Sequence, residues 1–248
     1  MPMDGPALTT RIPTPPWGDF ADRHLVGIDE YVKTGGYQAL EQALSMDPKD
    51  IVQAVRDSEL RGRGGAGFPC GMKWSVLPEP DGGRRYLALN CDEAEPGTFK
   101  DRLLIDFDPH LVLEGIAIAC WACQLDTAYF FIRGEYREQI PVVEQAIREA
   151  YEYGIFGKQG LFKGAVPFAV DCYLHKSAGA YICGEETGLI EAIEGKRAWP
   201  RVKPPFPAVE GIFRRPTIVN NVETLSAVPV SYTHLRAHET DSYLVCRL

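Results

Sequence analysis

RYLALN, residues 85–90, is a short apolar run that predicts the first strand of a sheet. Asp108 and Pro109 suit a helix cap and a first helical residue, and the apolar run after them predicts a helix to about Cys123. Further strands are predicted at residues 129–133 (YFFIR) and 168–174, and further helices at about 140–151 and 185–193. Strands that alternate with helices favour parallel pairing through right-handed crossovers. The predicted fold class is therefore α/β, a Rossmann-like parallel sheet with helices on its faces.

The chain before this sheet has a different character. Five prolines within residues 1–25 indicate an extended arm. Two short helices follow, one at residues 37–44 and one that Asp47 caps, with Pro48 in its first position. A short helical region is therefore expected before the sheet. Near the other end, WPRVKPPFP at residues 199–207 predicts a stiff loop, because prolines lack the backbone donor and fix φ.

Composition and charge exclude several classes of protein. The 248 residues carry a net charge of −8, which argues against nucleic acid as a partner because phosphates require a basic surface. No apolar run reaches the roughly 18 residues of a membrane span, and no secretory signal pattern begins the chain. Seven cysteines, an odd number, favour a reducing compartment over a disulfide framework. Cys120 and Cys123 form a C-x-x-C inside an apolar helix, where a buried helix face is favoured over metal or redox chemistry.

RGRGGAGFPCGMK, residues 61–73, is the first segment that suggests chemistry. Gly62, Gly64 and Gly67 spell G-x-G-x-x-G, but a dinucleotide fingerprint follows a strand and opens a helix. Here a helix precedes the loop, and no helix is expected directly after it because Pro69 and Gly71 interrupt the pattern. Glycines still let a backbone approach a ligand closely and direct N–H groups at phosphate oxygens. Phosphate or nucleotide binding is therefore favoured over a structural turn.

Two acidic segments follow predicted strands, at the edge where a parallel sheet binds ligands. In NCDEAEPGTFKDR, residues 90–102, the carboxylates suit a solvated loop and hydrogen bonds from ribose hydroxyls equally well. In GAYICGEETGLI, residues 179–190, Glu185 and Glu186 begin a helix. Both glutamates match the helix dipole, while the free N–H groups beside them suit an anion or a polar ring edge.

A fourth polar segment is PTIVNNVETL, residues 216–225. Its Asn220, Asn221 and Thr224 fit a capped turn and the edge of a flavin ring or a phosphate equally well. No G-x-S-x-G, H-E-x-x-H or P-loop pattern occurs, so hydrolase and P-loop functions lose their main support.

Together, in this order and at these separations, four strings resemble the NADH-binding flavoprotein subunit of respiratory complex I. They are RGRGGAGFPCGMKW, LNCDEAEPGTFKDR, GAYICGEETGLIEAIEGKRAWPRVKPPFP and PTIVNNVETL, and the resemblance covers about residues 28–229. It implies FMN and NAD(H) as cofactors and hydride transfer from NADH to FMN. No residue is assigned acid–base catalysis; Glu95 and Glu185 are expected to orient the reactants.

The resemblance also implies a contact for each matching residue. The glycine loop in the nucleotide pocket corresponds to Gly62, Gly64, Gly65, Ala66, Gly67 and Phe68. Phe68 and Phe206 correspond to aromatic residues at the adenine, and Lys203 lies by the nucleotide. The flavin contacts correspond to Lys73, Asn90, Asp92 and Glu93, and Glu95 corresponds to a carboxylate by the nicotinamide nucleotide. The crevice between the two cofactors corresponds to Tyr181, Gly184, Glu185 and Glu186, and the flavin phosphate and its surroundings to Asn220, Asn221 and Thr224.

The sequence departs from this family in two places. Val76 replaces an expected aromatic residue near the adenine. Residues 230–248 match nothing expected of the family and are interpreted as an artefactual tail joined to a truncated gene. The family's C-x-x-C-x-x-C ligands for a 4Fe-4S cluster are absent, so no metal site is predicted in this chain. The predicted organisation is an arm with short helices at 1–60, an FMN/NADH-binding domain at 61–229 and the tail.

The implied function is that of the NADH dehydrogenase flavoprotein subunit of complex I, which passes electrons through iron–sulfur centres towards quinone. Its implied partners are other peripheral-arm subunits, above all the small 2Fe-2S subunit, at the cytoplasmic side of the inner membrane. Two alternatives remain. One is the diaphorase subunit of an NAD-linked hydrogenase or formate dehydrogenase, and the other is a non-catalytic nucleotide-binding or assembly subunit.

Overall fold

One parallel sheet organises the computed structural model, which describes residues 27–231. Its strands are β1 (Tyr86–Cys91), β2 (Thr127–Ile132), β3 (Asp171–Lys176) and β4 (Thr217–Asn221), in the order β3–β2–β1–β4. All pairs are parallel. The predicted α/β class with a parallel sheet is therefore confirmed. The predicted arm and the greater part of the predicted tail lie outside the described residues.

Short helices precede and surround this sheet. Those before it are α1 (Ile28–Lys33), α2 (Gln38–Leu44), α3 (Pro48–Asp57) and α4 (Cys70–Ser75). Between β1 and β3 are α5 (Lys100–Phe107), α6 (Pro109–Cys123), α7 (Gln139–Tyr153) and the irregular turn α8 (Leu161–Gly164). After β3 come α9 (Glu186–Ile193), α10 (Val222–Ser226) and α11 (Val228–Ser231). The Asp47 and Asp108 side chains accept from backbone N–H groups as helix caps, as predicted.

The two faces of the sheet follow from the alternation of side chains along each strand. Leu87 and Leu89 of β1 pack into the main core, whose centre is α6 with its continuous apolar surface. Tyr86 and Ala88 point to the other face, where Leu189 of α9 covers them. The helices that connect β1 to β3 thus lie on one face, and the connection from β3 to β4 passes over the other.

This change of face creates the crevice in which open α/β sheets bind ligands. The chain leaves β1 towards β2 in one direction, while β4 joins the opposite edge of β1. Asn90 at the end of β1 is in register with Asn221 at the end of β4. The segments that follow β1 and β4 therefore diverge from one point at the carboxyl edge of the sheet.

Two expectations about local structure need correction. Residues 216–225 are not a turn throughout. Residues 217–221 form β4, a strand that the sequence pattern does not predict, and only Asn221 acts as a cap, at the start of α10. The expectation of no helix after the glycine loop is wrong, because α4 follows directly. Gly71 does not interrupt α4, since it permits close packing on α3: a Cβ there would lie 2.4 Å from the backbone N of Arg56.

The loop predicted at residues 199–207 is confirmed, since these residues form neither helix nor strand.

The six cysteines within residues 27–231 are buried free thiols. Cys120 and Cys123 lie in the apolar surface of α6, so the predicted buried helix face is confirmed. Burial raises the pKa of both thiols well above the ordinary value of 9.0. Within the described part of the chain, no group of His, Cys, Asp or Glu residues is arranged to hold a metal ion, and no helix is long and apolar enough for a membrane crossing.

A single buried carboxylate connects the N-terminal helices to α6. The oxygens of Glu114 accept from the Tyr31 hydroxyl, from Tyr37 N at 3.1 Å and from Leu40 N at 2.9 Å. Glu114 is only 1% exposed, so its removal would take a buried acceptor away from these donors. The helices before the sheet are thereby part of the same core as α6.

We expect Glu114→Ala to lower the free energy of unfolding by about 3 kcal/mol, since several buried donors would lose their acceptor. Urea unfolding followed by circular dichroism measures this loss. Glu41→Ala on the exposed side of α2 is the control, and we expect it to have little effect. Equal stabilities of the two variants would contradict the role of Glu114.

Candidate functional site

The glycine loop lies against the carboxyl end of β4. Arg63 N donates to Thr224 Oγ1 at 2.9 Å, and the Arg63 guanidinium pairs with Glu223 at 3.0 Å. A Cβ on Gly64 would lie 3.3 Å from the Asn221 Cβ, so the loop approaches the strand end closely. Gly65 and Gly67 have φ of +108° and +64°, and a Cβ on either would meet nothing within 4 Å. These glycines therefore satisfy backbone geometry while leaving the space above them open.

A half-buried ammonium group, that of Lys100, is linked to this loop through Glu223. Lys100 Nζ is 2.6 Å from Asp101 Oδ1, 3.1 Å from Glu223 Oε2 and 3.1 Å from Asn221 Oδ1. Asn221 Nδ2 donates back to Asp101 Oδ2 at 2.6 Å. Burial alone would lower the pKa of Lys100, but the two carboxylates raise it above 10.5, so the group stays charged. Lys100, at the start of α5, thus contacts Glu223 at the start of α10. Glu223 in turn pairs with Arg63 of the glycine loop.

Glu93 in the acidic loop after β1 fixes the path of that loop. Its carboxylate accepts from Asp101 N at 3.0 Å and from the Tyr136 hydroxyl at 2.8 Å. Its carbonyl accepts from the Arg133 guanidinium at 2.8 Å. The Glu93 carboxylate is therefore already bonded within the protein, at the start of α5. Only the backbone of Glu93 is left to contact a ligand.

Asn90 and Asp92 lie at the end of β1 and just beyond it. Asn90 Nδ2 donates to Gly184 O at 2.9 Å, which ties the end of β1 to the loop before α9. Asp92 is 7% exposed, yet neither of its carboxylate oxygens has a hydrogen-bond partner. Loss of water raises the pKa of Asp92 from 3.8 to about 6, against the opposing effect of Arg133 and with a small contribution from Glu135. A buried acceptor pair without donors fits a ligand that carries hydroxyl groups.

We expect Asp92→Asn to stabilise the ligand-free protein at pH 7. A carboxyl whose pKa is raised on folding stabilises the fold in its neutral form; this contribution is complete below about pH 4 and is lost as the pH rises through 6. Asparagine cannot ionise, so the variant should be more stable than the wild type by about 3 kcal/mol at pH 7 and of nearly equal stability at pH 4. Thermal melts at both pH values test this, with the exposed Glu152→Gln as control. An equal shift at both pH values would contradict the assignment.

The start of α9 forms the opposite wall of the crevice. Glu185 caps this helix, since its Oε2 accepts from Thr187 N at 2.8 Å and from Gly188 N at 2.9 Å. Lys203 Nζ lies 3.1 Å from Glu185 Oε1 and 2.6 Å from Glu186 Oε1. Lys73 Nζ lies 3.6 Å from Glu186 Oε2 and donates to Val219 O at 3.1 Å. Charges of alternating sign therefore cross the crevice from α4 to the proline-rich loop.

Three exposed aromatic side chains border this crevice or the loops that form it. Tyr181 is 64% exposed, and its hydroxyl donates to Glu95 Oε2 at 2.6 Å. Phe68 and Phe206 are 46% and 59% exposed. All three lie in segments that also supply the site's polar residues, and exposed rings are suited to stacking on a flat ligand.

The structure brings most of the predicted site residues to one edge of the sheet. The side chains of Glu93 and Asn221 are already bonded within the protein, and so are those of two more residues. Asn220 Oδ1 accepts from the Trp74 indole at 2.9 Å, on the core face of β4. Thr224 is fully buried beneath the glycine loop, with its hydroxyl accepting from Arg63 N. Both side chains therefore hold the segments of the site in place, and neither is free to contact a ligand. Sequence reasoning missed Lys100, Asp101 and Glu223, because adjacent charges such as Lys100–Asp101 are usually solvated.

The fold and the site define a class: an α/β ligand-binding domain with a glycine-rich, phosphate-compatible loop and an acidic crevice at the strand switch point. The chain belongs to the family described as the Nuo51 FMN-binding domain, whose model matches residues 55–230.

Curated relatives support this assignment. The F 2 subunit of the NADH-quinone oxidoreductase of Rhizobium meliloti (strain 1021) is 53% identical over 212 residues, which are 85% of this chain and 49% of that protein. The F subunit of the NADH-quinone oxidoreductase of Aquifex aeolicus (strain VF5) is 54% identical over 202 residues, 82% of this chain and 46% of that protein. The chain thus spans about half the length of these relatives.

A solved structure has the same fold. The crystal structure of an NAD+-reducing NiFe-hydrogenase in the H2-reduced state superposes with a TM-score of 0.72 at 40% sequence identity. The match covers 86% of this chain and 35% of the hydrogenase chain.

Proposed function

We propose that this chain binds FMN and NADH at the carboxyl edge of its sheet and belongs to an NADH dehydrogenase flavoprotein subunit of the complex I type. The observation that carries the proposal is the meeting of the glycine loop, the unpartnered Asp92 carboxylate and the start of α9 at the β1/β4 switch point. The names of the curated relatives support the same reaction. On this proposal residues 61–229 form the binding domain, and the helices before residue 61 brace it.

FMN fits the inner part of the crevice. The open backbone of Gly65 and Gly67 suits the approach of a flavin or its phosphate, and Lys73 supplies a positive charge nearby. The oxygens of Asp92 have the capacity to accept from ribityl hydroxyls. Asn90 lies at the end of β1 beside this part and Glu93 contributes backbone, while Asn221 supports the site through its bonds to Lys100 and Asp101. When bound, FMN supplies the chemistry that accepts two electrons from a nicotinamide and releases them singly.

NADH fits the outer part of the crevice. Phe68 and Phe206 offer rings for the adenine, and Lys203 offers a charge for the pyrophosphate. Glu95 and Tyr181 form a hydrogen-bonded pair beside the position proposed for the nicotinamide. Glu185 is held by α9 and by Lys203, which makes it a rigid acceptor. The protein's contribution is to orient the reactants and exclude water, without a group that must give or take a proton.

The flavin part of the proposal is tested by titrating the purified chain with FMN and with riboflavin and following flavin fluorescence. FMN should bind more tightly than riboflavin, because only FMN carries the phosphate that the glycine loop and Lys73 would receive. NADH oxidation with an artificial electron acceptor should then require FMN. Equal affinity for the two flavins, or no binding of either, would contradict the proposal.

The fate of the electrons concerns the whole protein. We propose that the complete subunit passes them through iron–sulfur centres towards quinone, in a complex with other peripheral subunits, above all a small 2Fe-2S subunit. We place this complex at the cytoplasmic side of an inner membrane, and the names of the curated relatives support a role in quinone reduction. The ligands for a 4Fe-4S cluster are absent from residues 1–248, so no electron transfer beyond FMN is assigned to this chain.

A second candidate is the diaphorase subunit of an NAD-linked hydrogenase. The superposition on the NAD+-reducing hydrogenase, at 40% identity, favours it specifically. The higher identities of 53% and 54% to quinone oxidoreductase subunits favour the first candidate. Both candidates use the same crevice, and identifying the proteins that copurify with the native subunit separates them.

A further inference from the structure

Arg201, in the proline-rich loop, bonds to several separate parts of the protein. Its guanidinium donates to Gly211 O at 2.8 Å, to Glu194 Oε1 at 2.8 Å and to Glu191 Oε1. Its backbone N–H donates to Thr187 Oγ1 at 2.8 Å. The contacts with Thr187, Glu191 and Glu194 fix the loop along α9 and just beyond its end. The contact with Gly211 fixes it to the segment that leads into β4.

The other end of the same loop has its own anchor. Thr217 N, at the start of β4, donates to Pro207 O at 2.9 Å. Lys203 and Phe206 lie between the two anchors. Pro204 and Pro205 fix φ in this short span, so the direction set at Arg201 is carried along the loop to both side chains.

We infer that Arg201 is a positioning residue for the nicotinamide nucleotide, acting through the placement of Lys203 and Phe206. This inference rests on the proposed function, and it assigns to Arg201 no direct contact with a ligand. Arginine suits this position because its planar group presents five donors in a fixed arrangement, which serves Glu191, Glu194 and Gly211 together. The FMN part of the crevice is formed by other segments, so FMN binding should not depend on Arg201.

The experiment uses the 248-residue chain loaded with FMN and compares Arg201→Ala with Arg201→Lys. Arg214→Ala is the matched control, since the Arg214 side chain is 87% exposed and lies 3.8 Å from Glu210. We expect Arg201→Ala to raise the Kd and KM for NADH about tenfold, with kcat and the Kd for FMN unchanged. Arg201→Lys should fall between the wild type and the alanine variant. Hydrogen exchange should become faster at residues 199–207 in Arg201→Ala, and stay slow throughout β1.

Several outcomes decide the question. An unchanged Kd for NADH in Arg201→Ala, whether or not exchange becomes faster, overturns the inference. Parallel losses of FMN and NADH binding, with faster exchange throughout the sheet, also overturn it, because they indicate a general structural role. If Arg201→Ala does not fold, Glu191→Gln, which weakens one contact of Arg201, must raise the KM for NADH without changing kcat for the inference to hold. A wild-type chain that binds FMN but no NADH refutes the proposed function itself, independently of any Arg201 variant.

Discussion

Replacement of Lys100 by methionine is expected to abolish stable FMN binding. Lys100 Nζ is shared among Asp101, Glu223 and Asn221, and its side chain is 21% exposed. Methionine has similar length but no charge, so Asp101 would remain buried without its cation and Glu223 would keep only Arg63. Removing one partner from a buried ion pair costs about 3–5 kcal/mol. That cost falls on the contacts that hold the glycine loop and the ends of β1 and β4 in place.

Equilibrium dialysis with FMN measures this effect, and we expect the Kd to rise at least about a hundredfold, equivalent to roughly 3 kcal/mol. Lys49→Met is the control, because Lys49 forms an ion pair with Glu79 in which its side chain is 79% exposed, and such pairs contribute little. Lys100→Arg keeps the charge and should retain part of the affinity. A folded Lys100→Met protein that binds FMN as tightly as the wild type would show that the buried cluster does not support the site.

Replacement of Lys203 by glutamate is expected to remove NADH binding while leaving FMN bound. The Lys203 ammonium lies between Glu185 and Glu186, at 3.1 Å and 2.6 Å from their carboxylates. A third carboxylate would repel both and also the pyrophosphate of NADH, and close like charges cost several kcal/mol. We expect the Kd for NADH to rise about a hundredfold.

Isothermal titration of the FMN-loaded protein with NADH measures the loss. Lys158→Glu makes the same change of net charge at an exposed residue outside the crevice and should leave the affinity unchanged. If both variants lose affinity equally, the effect comes from overall charge. If Lys203→Glu binds NADH normally, Lys203 is not beside the nucleotide.

The parts of the fold that sequence could predict depend on local signals. Asp47 with Pro48 and Asp108 with Pro109 marked helix starts, and both caps are present. These signals are reliable because a cap involves only the first turn of its own helix. β4 lacked such a signal, since its five residues combine apolar and amide side chains and its pairing with β1 is long-range. Because β4 is not predicted, the sequence also does not show that Asn220 and Asn221 point to opposite faces of the sheet. Strand alternation places Asn220 on the core face.

The candidate site was predictable in location but less so in detail. Its acidic residues follow strands, whose carboxyl ends lie at one edge of a parallel sheet. The glycine loop lies between α3 and α4, and its contact with the end of β4 is long-range. The use of individual side chains depends on distant neighbours. Glu93 caps α5 eight residues away, and Arg201 bonds across α9 to Gly211. No pattern within a short window distinguishes these residues from ordinary surface charges.

On the proposed function, FMN and NADH meet in the crevice between the glycine loop and α9. The most direct test is an anaerobic titration of the FMN-loaded 248-residue chain with NADH, followed by the visible absorption of the flavin. We predict bleaching in proportion to the NADH added, and no bleaching in Lys203→Glu at the same concentrations. Tight binding of both ligands to the wild-type chain with no loss of flavin absorption would contradict the claim and indicate a nucleotide-binding subunit without this activity.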